Sequence, residues 1–177
     1  HQAHNLFHAI KNHAAADDIV AIVDGDDHLA ADQAFERLAR EYSAGWEVVW
    51  SNWRGTDGKL GTCNHLNPFL SPRQQGYLSG HLFTFRRRLF DAVVEADLQD
   101  DEGRWFEAAG DVAIAWPVLE QTIKRKHLPD VLYIYNRGNP ASHYKRLHPG
   151  TPHFRPLKRR TSPVNERINR RPLETRR

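Results

Sequence analysis

The stretch that most constrains the fold is a short apolar run that ends abruptly in carboxylates. Residues 19–23 are apolar and mostly β-branched, and residues 24–27 read Asp-Gly-Asp-Asp. An apolar run of this length between polar neighbours predicts a buried β-strand. Because side chains alternate along a strand, Asp24 and Asp26 fall on the same side. The two carboxylates can therefore converge on one cation.

The position of these carboxylates at a strand end favours a ligand site. Open α/β sheets bind ligands beyond the ends of their strands. Hard divalent ions such as Mg2+ and Mn2+ take oxygen ligands and are often shared with substrate phosphates. The alternative interpretation of residues 24–27 is an acidic turn followed by a helix N-cap.

Composition bounds the class of protein. The chain has 177 residues, 40% of them hydrophobic, which suits one domain with a core of ordinary size. Its single cysteine, Cys63, excludes an internal disulfide framework. No apolar run approaches the roughly 20 residues needed to span a bilayer, and the first residues lack the pattern of a signal peptide. We therefore expect a cytoplasmic chain.

Charge divides the chain into an acidic body and a basic tail. Residues 145–177 hold 11 Lys and Arg against 2 Glu, whereas residues 1–144 hold 14 Lys and Arg against 20 Asp and Glu. We therefore predict an acidic, folded body over 1–144 and a basic, Pro-containing tail over 145–177. The tail can dock on an anionic membrane surface, which would make the protein peripheral there. A solvated, poorly ordered extension is the favoured alternative, and no specific nucleic-acid partner is expected.

Apolar periodicity and turn residues predict alternating helices and strands, and hence an α/β fold. The inward face of the helix before Ser43 is assigned to Phe35, Leu38 and Ala39. The predicted helices cover residues 4–14, 32–43, 86–96 and 111–126, the last kinked or restarted at Pro117. The predicted strands cover 19–23, 46–53, 81–85 and 131–135, with a long loop over 54–75.

Five segments in this order carry a resemblance. They are residues 5–20, Val23-Asp24-Gly25-Asp26-Asp27-His28-Leu29, residues 48–53, Gly80-His81-Leu82-Phe83-Thr84-Phe85-Arg86-Arg87, and Leu132-Tyr133-Ile134-Tyr135-Asn136. Together with Gly110-Asp111-Val112 they resemble the second half of a family 2 glycosyltransferase with the GT-A fold, over roughly residues 4–144. Gly110 stands where the family commonly has an acid, and Asn136 where it has Arg. The resemblance implies that residues 1–144 are a partial glycosyltransferase catalytic domain, with a GT-A-like mixed sheet flanked by helices and lacking its N-terminal strands.

The implied reaction is transfer of a sugar from a nucleotide-sugar donor, most simply a UDP-sugar, to an acceptor hydroxyl on a glycan, lipid or protein. A bound Mn2+ or Mg2+ would stabilise the leaving diphosphate. The resemblance makes Asp26 the best metal ligand and gives Asp24 the donor ribose or a share of the metal. It makes Asp111 the general base of an inverting transfer. An ordinary helix-start aspartate is the alternative for Asp111, and Glu107, Asp100 and Asp101 are rival bases.

Further candidates surround these aspartates. His143 is a candidate metal ligand or phosphate contact, with an exposed loop histidine as the alternative. Trp105, in a polar loop before Asp111, is a candidate for acceptor binding, and Gly80 and His81 are candidate substrate-binding residues. His4 and His8 are interpreted as surface residues, because no carboxylate or cysteine completes a metal set with them. Residues 86–88, three arginines, are assigned to a strand-to-helix junction with solvated charges.

Two other functions remain open at this point. One is another metal- and nucleotide-using α/β enzyme such as a nucleotidyltransferase, against which the lack of a Gly-rich phosphate loop counts weakly. The other is a non-catalytic binding module that docks through its basic tail.

Overall fold

The protein is described by a computed structural model that covers residues 2–61, 63–106 and 110–139. Its centre is a mixed β-sheet with helices packed on both faces, which confirms the predicted α/β class. The helices are α1 (Gln2–His13), α2 (Ala34–Ser43) and α3 (Gly110–Leu119). The strands are β1 (Ile19–Ile22), β2 (His28–Leu29), β3 (Val48–Gly55), β4 (Leu60–Gly61), β5 (Phe83–Arg86) and β6 (Arg125–Tyr135). Short 3-10 helices cover Pro72–Gln75, Arg87–Ala92 and Glu95–Leu98.

The strand order decides which loops meet at each edge of the sheet. The described strands run in the order β1-β5-β3-β6-β2, and β4 pairs with β3 off this path. β3 and β6 are parallel, whereas β5 is antiparallel to both β1 and β3. β1, β3 and β6 therefore end at the same edge, and β5 begins there. We call this edge the carboxyl edge of the sheet.

Alternating side chains of β3 build two hydrophobic cores, one on each face of the sheet. Val48 and Trp50 point to the core shared with α1 and α3, and Val49 points to the core shared with α2. All three side chains are at most 1% exposed, so β3 is buried from both faces. The strand predicted over 46–53 is thus the central strand of the sheet.

Helix α2 buries a different stripe from the one predicted. Ala34, Leu38 and Tyr42 are buried at a spacing of four residues, whereas Phe35 is 53% exposed and Ala39 is exposed. The assignment of Phe35 and Ala39 to the inward face was therefore wrong. Tyr42 fixes the rotation of the helix, because its hydroxyl donates a 2.7 Å hydrogen bond to Thr84 Oγ1 on β5.

Three other elements differ from the sequence-based expectation. The helix predicted over 86–96 is two 3-10 helices, separated by the extended and β-branched Val93 and Val94. The helix predicted to reach residue 126 ends at Leu119, and Pro117 lies inside its last turn. The strand predicted over 131–135 begins earlier, at Arg125, because it pairs with β3 along its length.

A buried ion pair joins the long loop to α3. The guanidinium of Arg73, in the 3-10 helix Pro72–Gln75, donates from Nη2 to Glu120 Oε2 at 3.0 Å and from Nε to Oε1. The two side chains are only 7% and 2% exposed, and the guanidinium also lies over the ring of Trp116. This pair fixes the loop segment that precedes Tyr77 against the end of α3.

We expect Arg73→Met to destabilise the protein by about 3–5 kcal/mol, because it leaves the Glu120 carboxylate buried without its counter-charge. The double variant Arg73→Met/Glu120→Gln removes that uncompensated charge and should recover much of the loss. Urea unfolding of the three proteins measures the difference. Equal free energies of unfolding for the single and double variants would contradict this account of the pair.

Candidate functional site

Strand pairing brings together two segments that are far apart in the sequence. β1 ends at Ile22, which is paired with Phe83 at the beginning of β5. Asp24 lies two positions after Ile22, and His81 lies two positions before Phe83. The antiparallel register therefore places Asp24 and His81 opposite each other at the carboxyl edge, where the two charges interact.

A narrow cavity at this edge is lined by four of the residues predicted from the sequence. Asp24, Gly80, His81 and Asp111 all contribute to its wall. Tyr77 and residues of α1 complete the wall. The cavity measures about 20 Å³, roughly the space of one water molecule.

Asp111 enters the cavity from the first turn of α3, where the helix dipole favours negative charge. Its carboxylate interacts with the hydroxyl of Tyr77, whose pKa is raised well above its ordinary value by burial and by the Asp111 charge. Tyr77 therefore stays protonated and serves as a hydrogen-bond donor to Asp111. The rival bases Asp100 and Asp101 do not line the cavity, and Glu107 lies outside the described residues.

Asp24 is half-buried within a group of negative charges. Gln2 donates a 2.9 Å hydrogen bond to its carboxylate, and the Asp24 backbone N–H donates to the Tyr133 hydroxyl at 3.0 Å. Burial raises the pKa of the Asp24 carboxyl, His81 opposes this increase, and the charges of Asp27, Asp111 and Asp26 add to it. The site thus concentrates carboxylates that repel one another, which a bound cation would relieve.

The other two acids of the motif have different environments. Asp27 accepts a 2.7 Å hydrogen bond from the Tyr133 hydroxyl and another from the backbone N–H of Asn136. Asp27 therefore ties the acidic loop to the end of β6. Asp26 is exposed and accepts a 2.5 Å hydrogen bond from Asn139.

Aromatic rings pack beneath the acidic loop in a cluster that was not predicted from the sequence. His81 stacks on Tyr133 and Tyr135 at centroid distances of 4.8 and 5.5 Å, and Trp53 meets its edge at 6.2 Å. Tyr133 and Tyr135 are two positions apart on β6, so alternation places both on one face. That spacing was visible in the sequence, but the parallel neighbour β3, which supplies Trp53, was not.

Gly80 is required by close packing beside this cluster. Its N–H donates a 3.2 Å hydrogen bond to Cys63 Sγ. A Cβ atom at position 80 would lie 2.9 Å from the same sulfur, closer than real contacts allow. Gly80 therefore lets the chain approach Cys63 on its way to His81.

The donor set for a divalent ion is incomplete in the part of the chain that the structure describes. Over residues 2–61, 63–106 and 110–139, no group of three or more His, Cys, Asp or Glu side chains is arranged to hold a metal ion. Asp24 and Asp26 supply oxygen donors of the type that Mg2+ and Mn2+ prefer. His143 and the predicted domain boundary after residue 144 lie outside the described residues.

Trp105 and the two histidines of α1 pack together away from this cavity. The Trp105 ring lies 5.0 Å from His4, 5.7 Å from Phe7 and 5.9 Å from His8, measured between centroids. The Trp105 side chain packs on α1 and is not part of the cavity wall. Its predicted role in acceptor binding stays a prediction.

The three arginines that follow β5 have protein partners. Arg86 donates to the carbonyl of Tyr42, Arg87 donates to the Ile10 carbonyl and pairs with Asp91, and Arg88 pairs with Glu47. These contacts connect the end of β5 and the 3-10 helix after it to α1, to α2 and to the residue before β3. The residues do form a junction, as predicted, but their charges are paired with protein groups.

Comparison with known proteins gives a weak match. No protein-family model matches the chain, and no curated protein does. Among solved structures the chain is similar to the crystal structure of S. aureus TarS 1–349, a glycosyltransferase, at 15% identity and a TM-score of 0.43. The match covers 72% of this chain and 38% of that chain. A likeness this weak supports no inference about activity.

Within the described part of the chain, no helix has the length and apolarity required to cross a membrane.

Asp24→Asn should stabilise the metal-free protein at pH 7 and have a smaller effect near pH 3.5. The folded-state pKa of Asp24 is raised, so its ionised carboxyl costs stability above the unfolded-state pKa of about 3.9, and this cost vanishes as pH falls below it. Urea unfolding in EDTA at several pH values measures the difference. The exposed Asp17 provides a control, Asp17→Asn. A pH-independent effect of Asp24→Asn would contradict this interpretation.

Proposed function

We propose that the chain transfers a sugar from a nucleotide-sugar donor, most simply a UDP-sugar, to an acceptor hydroxyl with inversion at the anomeric carbon. The observation that carries the proposal is the convergence of Asp24, His81 and Asp111 on one cavity from three separate elements. The sequence resemblance assigns Asp24 to the donor or the metal and Asp111 to base catalysis, and His81 is a candidate substrate-binding residue. All three residues line the same cavity.

Asp111 is proposed as the general base. The acceptor oxygen attacks the anomeric carbon, its proton passes to the Asp111 carboxylate, and the bond to the nucleoside diphosphate breaks. The protonated Tyr77 hydroxyl next to Asp111 would orient the carboxylate without competing for the proton.

Asp24 and Asp26 are proposed to hold Mn2+ or Mg2+, with His143 as a further candidate ligand. A bound divalent ion would neutralise the charge that develops on the leaving diphosphate. Asp26 is exposed, so a cation bound to it would be open to a donor diphosphate, and the half-buried Asp24 is proposed to hold the donor ribose or to share the metal. The negative charges of Asp26, Asp27 and Asp111 act on Asp24, and this repulsion supports a cation at this place.

The half-buried rings of His81 and Tyr135, with the buried Tyr133 ring stacked behind His81, are proposed to support the donor. Rings that already stack on one another have little rotamer freedom left to lose when a sugar or base packs on them. Gly80 keeps the backbone beside His81 close to Cys63 and is kept as a candidate substrate-binding residue. Trp105 is kept as a candidate acceptor contact. The acceptor itself, a glycan, lipid or protein, is left open, because acceptor loops vary on one fold.

Donor binding should require Mn2+ and Asp26. We expect UDP to bind the full 177-residue chain in calorimetric titration with Mn2+, and not in EDTA. Asp26→Asn should abolish the metal-dependent part, since it removes a charged oxygen ligand. Asp32→Asn is the matched control, because Asp32 is exposed and lies outside the cavity wall. Mn2+-dependent binding that survives in Asp26→Asn would remove Asp26 from its proposed role.

Asp111→Asn should separate binding from chemistry. The amide can still accept a hydrogen bond from Tyr77, but it cannot take a proton, so we expect turnover to fall by about 10²–10⁴-fold with UDP affinity retained. Release of UDP from UDP-sugars in the presence of acceptor measures this. Asp101→Asn, which changes a rival base outside the cavity, should keep normal turnover. Loss of activity in Asp101→Asn with normal activity in Asp111→Asn would exchange the two roles.

Assays of nucleotide binding, of product release and of vesicle docking separate the alternative functions. A nucleotidyltransferase would release pyrophosphate from a nucleoside triphosphate. A binding module would bind neither nucleotide, and deletion of residues 145–177 would abolish its docking on anionic vesicles.

A further inference from the structure

A second groove lies at the opposite edge of the sheet from the acidic loop. It is an open groove lined by residues 68–72 of the long loop and by residues 119–123 and 125, which lie between α3 and β6, and its volume is about 470 Å³. Its floor is at the beginning of the parallel strands, where Val48 pairs with Arg125. The acidic loop meets β6 near the other end of that strand, at Tyr133. The groove is therefore separate from the candidate active site.

The walls of this groove are unusually apolar for a surface. Phe69 is 93% exposed, Ile123 is 74% exposed and Leu70 is 48% exposed. Pro68 and Pro72 add rigid apolar surface between them. Large apolar side chains that gather on a surface mark a binding groove more often than single exposed ones do.

One cation in the groove lacks a partner among the described residues. The Nη1 atom of Arg125 is buried and has no hydrogen-bond acceptor there. Burial lowers the pKa of this guanidinium, and no neighbouring carboxylate offsets it. The acid on the same wall, Glu120, is already paired with Arg73. Arg125 is thus a partly desolvated charge that an anion would stabilise.

We propose that this groove binds a carboxylate carried on a short apolar chain. The Arg125 guanidinium would donate to the carboxylate, and the chain would lie against Phe69 and Ile123. A planar guanidinium matches a carboxylate in a two-point hydrogen bond, and one positive charge balances one negative charge. A neutral apolar ligand would leave Arg125 without a partner. The proposal is independent of the sugar-transfer function, since it uses none of the same residues.

Hexanoate and hexanol are the probes that test it. They share an apolar chain and differ in the charged group. Titration into the 15N-labelled full chain, followed by amide chemical shifts, should show about millimolar binding of hexanoate at residues 68–72 and 119–125, and binding of hexanol at least tenfold weaker. Equal affinity for the two probes, or no shifts with hexanoate at tens of millimolar, would overturn the proposal.

Variants at adjacent positions sharpen the test. Arg125→Met keeps an unbranched stem and should weaken hexanoate binding at least tenfold, with hexanol binding changed less than about twofold. Lys124→Gln is the matched control, because Lys124 is exposed, adjacent and outside the groove lining. Arg125→Lys keeps the positive charge without the planar guanidinium and should lose hexanoate affinity only a few-fold. This variant preserves the test if Arg125→Met does not fold. A loss in Lys124→Gln as large as in Arg125→Met would contradict recognition by Arg125.

Discussion

The parallel pairing of β3 with β6 is the constraint on which the rest of the structure depends. The ladder runs from Val48 opposite Arg125 to Gly55 opposite Tyr135, and it absorbs irregularities on either side of Asn52. β3 supplies side chains to both hydrophobic cores, and β6 supplies Leu128, Leu132 and Tyr133 to the core under α2. Because the two strands run in the same direction, their ends lie at one edge, where β6 also binds the acidic loop through Tyr133.

Tyr133 links the frame of the protein to the candidate site. Its ring is fully buried against the sheet and stacks on His81, while its hydroxyl donates to Asp27 and accepts from the backbone of Asp24. A single rigid side chain thus holds both ends of the Asp24–Asp27 turn. The proposed metal ligands depend on this support, since hydrogen bonds to the loop fix the direction of its carboxylates.

The sequence located the strands better than it located the ends of the helices. The apolar run before Asp24 located β1, and antiparallel pairing with β5 then brought His81 to the same edge. The boundaries of local elements failed where tertiary contacts decided them: Phe35 is apolar but faces solvent, because Ala34, Leu38 and Tyr42 fit the sheet. The aromatic cluster around His81 and the Arg73–Glu120 pair could not be predicted, because each joins residues that come close only in the folded protein.

Strand β1 has a further consequence for how the protein behaves in solution. Within the described residues it pairs only with β5, so it forms an edge of the sheet. The Arg87 N–H donates to the Asp18 carbonyl. The register that follows from this bond points the backbone N–H and C=O groups of Val20 and Ile22 toward β5. Ile19 and Ala21 therefore turn their backbone groups outward. Unpaired backbone N–H and C=O groups at a sheet edge, beside an Ile19 side chain that is 42% exposed, are a template for strand addition between molecules. We therefore expect concentrated samples to self-associate along this edge, and a lysine at position 19 would oppose that association.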